Sequence, residues 1–279
     1  MASLVFDRAG DFASAKLSEP LSSCPDCGGT GLIRTTTRQN GRNYEVVSPC
    51  PRALQLRRVT LFNDVHLPAV HAQASFDGYR VSNADQAKAL QTAKDFALGW
   101  PASRGFILSG PVGTGKTHLL CATLKHLTVE LGIKAAYVEI SLLYSTIRRG
   151  FQDGKSGGEI IGPLSQVEVL AIDELGKGRG SQFELETLDE LIARRYNAGK
   201  ITLFATNYSL KAPEDSKVRG YLGTEGILEA AKDSKQLCDR VGDRIYSRLC
   251  EMCEFVELPA ATPDMRRSPQ LVAKKKKPA

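Results

Sequence analysis

Gly105-Phe-Ile-Leu-Ser109 running into Gly110-Pro-Val-Gly-Thr-Gly-Lys116-Thr117 is the stretch on which the fold turns. The first five residues carry no charge and read as a buried strand. The octapeptide after them is a complete G-x-x-x-x-G-K-[ST] phosphate loop in its required setting between a strand and a helix. Its glycines let backbone N–H groups wrap phosphate oxygens, and the helix N-terminus adds positive potential. Lys116 is placed to reach the β- and γ-phosphates, and Thr117 offers a hydroxyl to Mg²⁺. The nucleotide-contacting run is therefore Gly110, Pro111, Val112, Gly113, Thr114, Gly115, Lys116, Thr117 and His118.

Outward from this loop, helix and strand alternate. Helices are expected over 84–98, 116–131, 142–151, 183–196 and 234–251, and strands over 135–140, 167–172, 201–205 and 255–258. A Gly-rich stretch at 153–158 and a polar insertion at 211–224 interrupt the pattern. Apolar strands separated by helices predict an α/β fold with a central parallel sheet between helices.

The strand Val167-Glu-Val-Leu-Ala-Ile172 ends in Asp173-Glu174. Asp173 is expected to hold the Mg²⁺ shell and Glu174 to polarise the attacking water, because phosphoryl transfer needs metal placement and an oriented nucleophile. Thr206-Asn207 closes the next strand at the same sheet edge, where Asn207 can sense the γ-phosphate or hold the water. These stations read as a P-loop ATPase of the AAA+ type. A kinase would need a second substrate site, and the sequence offers none.

Ala171-Ile-Asp-Glu-Leu-Gly176, Glu186-x-x-Asp-Glu-Leu-Ile192-Ala-Arg-Arg-Tyr196, Ala205-Thr-Asn-Tyr208 and Asp243-Arg-Ile-x-x-Arg-Leu249 together resemble the DnaC/IstB group of AAA+ ATPases, over roughly 80–268. This group comprises helicase loaders and transposition helpers. The resemblance implies an ATP-driven homo-oligomer with ATP sites at subunit interfaces and single-stranded DNA along its pore. It also implies an N-terminal domain that grips a DnaB-type replicative helicase. By position, Arg244 matches the arginine finger, with Arg248 as the alternative, and Arg266 falls where a second nucleotide-sensing arginine is expected. Arg148 and Arg149 lie on the helical element that faces DNA in loaders; an ordinary surface helix with its arginines outward is the other reading. The alternative function is an IstB-type transposition helper.

Upstream, Cys24-Pro-Asp-Cys27 on the turn Gly28-Gly-Thr-Gly31 forms a CxxC knuckle. Cys50, after an expected hairpin around Asn40-Gly41, can return a third thiolate to Zn²⁺, with the fourth ligand open between His66, His71 and none. A metal-free turn stays open as well. Cys250 and Cys253 read as packing residues. The expected organisation is a flexible arm over 1–23, a Cys-rich partner-interaction domain and connector over 24–80, the ATPase over 81–268, and a basic disordered tail over 269–279.

Hydrophobic residues at 42 % and charged residues at 24 % exclude a fibrous or wholly disordered chain. Asp7, Arg8 and Asp11 break the N-terminal stretch and no apolar run approaches about 18 residues, so neither a secretory signal nor a membrane-spanning helix is expected and a cytoplasmic protein is the default expectation. Net charge is +6, from 37 basic and 31 acidic residues, but Lys274–277 contribute four of those positive charges. Residues 81–273 carry 24 of each sign, so the main body is neutral and net charge is a weak pointer to nucleic acid.

Overall fold

The computed structural model describes residues 3–178, 180–210 and 234–266. Contacts divide the chain into two units, residues 1–73 with 125–135 and residues 74–124 with 136–279.

The first unit holds two antiparallel hairpins and a helix. Strands β1 (Leu4–Ala9) and β2 (Phe12–Leu17) pair across a turn at Gly10. Strands β3 (Leu32–Gln39) and β4 (Arg42–Pro49) pair across Asn40-Gly41, both at positive φ as a type I′ turn requires. Helix α1 (Pro51–Asn63) follows, with proline in its first turn.

The arm expected over 1–23 is thus a β-hairpin through residue 17, for a long-range reason. Asn63 accepts a hydrogen bond from the Ala15 amide at 2.7 Å and donates to its carbonyl at 3.1 Å. The Ala13 amide donates to Leu67 O at 2.7 Å, and Phe6 packs edge-on against buried Phe62.

The second unit contains α2 (Ala84–Leu98), β5 (Gly105–Ser109), the start of α3 (Lys116–Val129), β6 (Ala135–Glu139), α4 (Ile140–Gln152) and α5 (Gly157–Gln166). It continues with β7 (Val169–Asp173), α6 (Gln182–Asn197), β8 (Ile201–Thr206), α7 (Leu237–Val241), α8 (Asp243–Met252) and β9 (Cys253–Glu257). The parallel sheet has strand order β6-β7-β8-β5-β9, which places the phosphate-loop strand between β8 and β9. The chain crosses to the far edge after β5 and returns to its other side with β9. Ligands of such sheets bind where the order reverses, outside the strands' carboxyl ends.

Two elements differ from expectation. The Gly-rich stretch leads directly into α5, because Ser156 caps the amide of Glu159 and Glu159 returns a carboxylate to the Ser156 hydroxyl. The helix expected over 234–251 breaks at Gly242, whose φ of 81° ends α7 and restarts the chain as α8. The polar insertion 211–224 and the tail 269–279 lie outside the described residues. No helix among the described residues is long and apolar enough to cross a membrane.

Candidate active site

The loop between β5 and α3 approaches its neighbours too closely for side chains. A Cβ on Gly113 (φ +81°) would lie 1.9 Å from the Asp264 carboxylate, and one on Gly115 (φ +92°) would lie 2.4 Å from the Tyr79 ring. The Tyr79 hydroxyl donates to Thr114 O at 3.0 Å, and the Met265 amide donates to Gly113 O at 2.9 Å. His118 is bonded through Nε2 to Ser75 O at 2.8 Å, and its ring lies 5.9 Å from that of Tyr79. Buried Lys116 donates from Nζ to the Gly110 and Pro111 carbonyls, each at 2.7 Å, so the ammonium is held inside the loop. Burial pushes its pKa down to about 8, with Asp173 pulling the other way.

Asp173 ends β7 facing this loop. Its Oδ2 accepts from Thr117 Oγ1 at 2.7 Å and from the Tyr137 hydroxyl at 2.8 Å, while Oδ1 accepts from the Glu174 amide at 2.8 Å. Burial, and then the Asp173 charge, raise the Tyr137 pKa and keep the phenol a donor. Glu174 takes a left-handed φ of 56°, rare for a residue with a side chain, which turns it away from the strand direction. Thr117 and Asp173 form the kind of oxygen donor set that suits Mg²⁺. Gly113 and Gly115, at positive φ, keep the loop backbone free of Cβ atoms where it packs against Asp264 and Tyr79, and with Lys116, Thr117 and Asp173 beside that loop the residues present fit a nucleotide with its metal.

Next to them, the Thr206 hydroxyl donates to Leu175 O at 2.7 Å, which ties β8 to the loop after β7, and Asn207 stands exposed just beyond. Arg266 is 71 % exposed, with its amide on Asp264 Oδ1 at 2.9 Å, and its charge is felt at Lys116. Arg244 is 78 % exposed and 3.5 Å from Asp189, whereas Arg248 is more enclosed and bonds the same carboxylate at 2.5 Å. Arg148 bonds Glu184 at 3.0 Å and lies over the Phe183 ring; Arg149 is exposed. Both line a cleft of about 470 Å³ with Ser141, Tyr144 and Ser145.

Four residues with a place in this site escape motif reading. Tyr79 belongs to Phe76-Asp-Gly-Tyr79, which reads as a connector. Tyr137 interrupts an otherwise apolar strand sequence, the one signal it gives. Lys177 lies one turn after Glu174. Buried Arg240 donates to Gly176 O at 2.9 Å and Gly178 O at 2.7 Å and stacks on Tyr208. Its sequence signal is the repetition of Asp239-Arg240 at Asp243-Arg244.

In the first unit, Cys24, Cys27 and Cys50 are buried with their sulfurs within 4.8 Å of one another, and the Cys24 and Cys50 sulfurs are 3.6 Å apart. Thiolates on one tetrahedral zinc sit about 3.8 Å apart, given Zn–S bonds near 2.3 Å, so the donor set fits three corners of such a site. Burial acts to raise the Cys27 thiol, but the Gly31 and Gly29 amides and the other two thiols outweigh it and lower its pKa. Among the described residues neither His66 nor His71 joins the cluster, and His66 packs against Phe12.

The description IstB-like ATP binding protein belongs to a family whose sequence profile matches residues 53–216, more than half of the chain. The chain belongs to this ATP-binding family. Similar to it is the replicative helicase loader DnaC of Escherichia coli (strain K12), 29 % identical over 162 residues, which are 57 % of this chain and 65 % of DnaC. This chain therefore spans less than two thirds of the length of that relative. The crystal structure of the DnaC helicase loader superposes with a TM-score of 0.56 at 27 % identity, over 68 % of this chain and 99 % of that one. The crystal structure of DnaI, at 19 % identity and a TM-score of 0.51 over 70 % of this chain and 93 % of that one, shares the fold. The fold of this IstB-like chain is that of the AAA+ P-loop proteins.

Proposed function

We propose that this IstB-like chain is a AAA+ ATPase that binds ATP with Mg²⁺, hydrolyses it between subunits, and loads a replicative helicase onto single-stranded DNA. The observation that carries the reading is the convergence of Lys116, Thr117, Asp173 and Glu174 at one sheet edge, in a chain similar to DnaC across that region. Lys116 would bind the β- and γ-phosphates, and Thr117 and Asp173 would hold Mg²⁺, which offsets phosphate charge when bound. Tyr137 fixes the Asp173 carboxylate, and Glu174 orients the attacking water and takes its proton. Asn207 reads the γ-phosphate from the end of β8. Arg244, exposed and loosely paired, serves a neighbouring subunit's site. Arg149 and the cleft along α4 contact the DNA backbone, with Arg148 braced by Glu184.

The test is complex formation with a DnaB-type helicase. With ATP and Mg²⁺ at micromolar protein, co-elution on size exclusion is expected, and single-stranded DNA is expected to raise ATP turnover. No complex under these conditions would sink the loader reading and leave the transposition helper as the explanation of the same ATPase.

The cysteine cluster is proposed to hold Zn²⁺ and to stiffen the helicase-facing unit. Metal analysis of purified protein is expected to give about one zinc per chain, falling to background when Cys24 and Cys27 are both replaced by serine. Undiminished zinc in that variant would place the metal elsewhere.

A further inference from the structure

Asp173-Glu-Leu-Gly-Lys177 folds into a single tight turn in which the Lys177 amide donates to Glu174 O at 2.9 Å. The turn brings the Lys177 ammonium back onto the Glu174 carboxylate, its nearest partner. The same ammonium lies 3.4 Å from Glu139 Oε1, at the end of β6, and that oxygen also accepts from Ser141 Oγ at 2.6 Å. One cation thus stands between two carboxylates, and only one of them follows the metal-binding aspartate.

The rest of the turn is anchored. Arg240 grips the Gly176 and Gly178 carbonyls on either side of Lys177, and the Leu175 amide donates to Ala205 O at 2.8 Å. What remains free to change is the lysine side chain itself, which is about half exposed.

A carboxylate that accepts from an ammonium has a lone pair engaged and is a poorer acceptor for the proton of an attacking water. We propose that Lys177 is a positioning residue that restrains Glu174 in a resting arrangement, and that transfer of its ammonium to Glu139 releases Glu174 for turnover. This rests on the reading of Glu174 as the group that activates water. The electrostatics agree with a shared cation. Burial and Glu139 raise the Glu174 carboxyl against the pull of Lys177. Burial would also raise Glu139, but Ser141, Glu174 and Lys177 outweigh it and hold that carboxyl below the usual range. Ser141, which donates to Glu139, also lines the α4 cleft, so a ligand in that cleft would act on the receiving end of the transfer.

Steady-state ATP hydrolysis by the full chain tests this. Lys177→Ala is expected to raise kcat about three- to fivefold, the size of one partly exposed ion pair, with KM for ATP unchanged. Glu139→Gln is expected to lower kcat by a similar factor, because the ammonium then has only Glu174. The double variant should behave like Lys177→Ala, since the receiving carboxylate matters only while the lysine is present. A kcat that is unchanged or reduced in Lys177→Ala, or a double variant as slow as Glu139→Gln, overturns the proposal. Glu174→Gln, run in parallel, keeps the two readings apart. Near-normal turnover there removes Glu174 from the reaction and the restraint with it. Lost turnover in Glu174→Gln with no gain in Lys177→Ala overturns the restraint alone.

Discussion

Lys116→Ala is expected to abolish ATP binding at working concentrations, a loss of a hundredfold or more in affinity. Hydrogen bonds to charged groups are worth roughly 1.5–3 kcal/mol each, and the ammonium addresses two phosphates, so about 3 kcal/mol or more disappears. The surroundings of the ammonium add a pH dependence. Burial has pushed Lys116 down to about 8, and its proton is held by two loop carbonyls at 2.7 Å.

Phosphate would raise that pKa again, so above pH 8 the free protein must take up a proton in order to bind. Wild-type affinity is therefore expected to be flat below pH 8. Above it, affinity should fall by up to about tenfold per pH unit, until the pKa of the bound state is reached. Calorimetric titration of ATP from pH 7 to 10 reads both effects, and Lys116→Ala should lose the alkaline slope along with the affinity. Tight binding by the alanine variant would remove this lysine from the phosphate site.

Arg244→Ala is expected to bind ATP normally and to hydrolyse it roughly a thousandfold more slowly, at the lower end of what an arginine finger contributes. The guanidinium is 78 % exposed and lies 3.5 Å from Asp189, an arrangement that would let it serve another subunit under the proposed role. Arg248 takes the closer bond to that carboxylate and is more enclosed, which suits it to bracing α8 against α6. Mixing separates action in trans from action within one chain. Arg244→Ala subunits retain a sound nucleotide site, and Lys116→Ala subunits retain the finger, so a mixture should recover activity that neither has alone. A mixture no more active than its components would assign the arginine to its own chain or to none.

The phosphate loop and the acids of β7 were legible because their chemistry is local: eight consecutive residues make one anion cradle, and an apolar strand delivers Asp173 to it. The companions that complete the site come from afar. Tyr137 reaches Asp173 across 36 residues and Arg240 reaches Gly176 across 64, and tyrosine or arginine at such positions reads as ordinary surface or strand composition. The hairpin at the N-terminus was hidden for the same reason, since its partners Asn63 and Leu67 lie some fifty residues on. Helix α5 was hidden by glycine content, although Ser156 and Glu159 announced its start.

The break at Gly242 has a consequence for how an assembly would behave. On an unbroken helix Arg240 and Arg244, four residues apart, would share one face. With φ at 81° between them, the first turns inward to the loop beside Glu174 and the second outward to solvent. Under the proposed role of Arg244, the same Asp-Arg pair used twice would address two different sites, Arg240 the loop of its own chain and Arg244 the site of a neighbouring one. The link between the two arginines is four residues long, so the position of one is tied closely to that of the other.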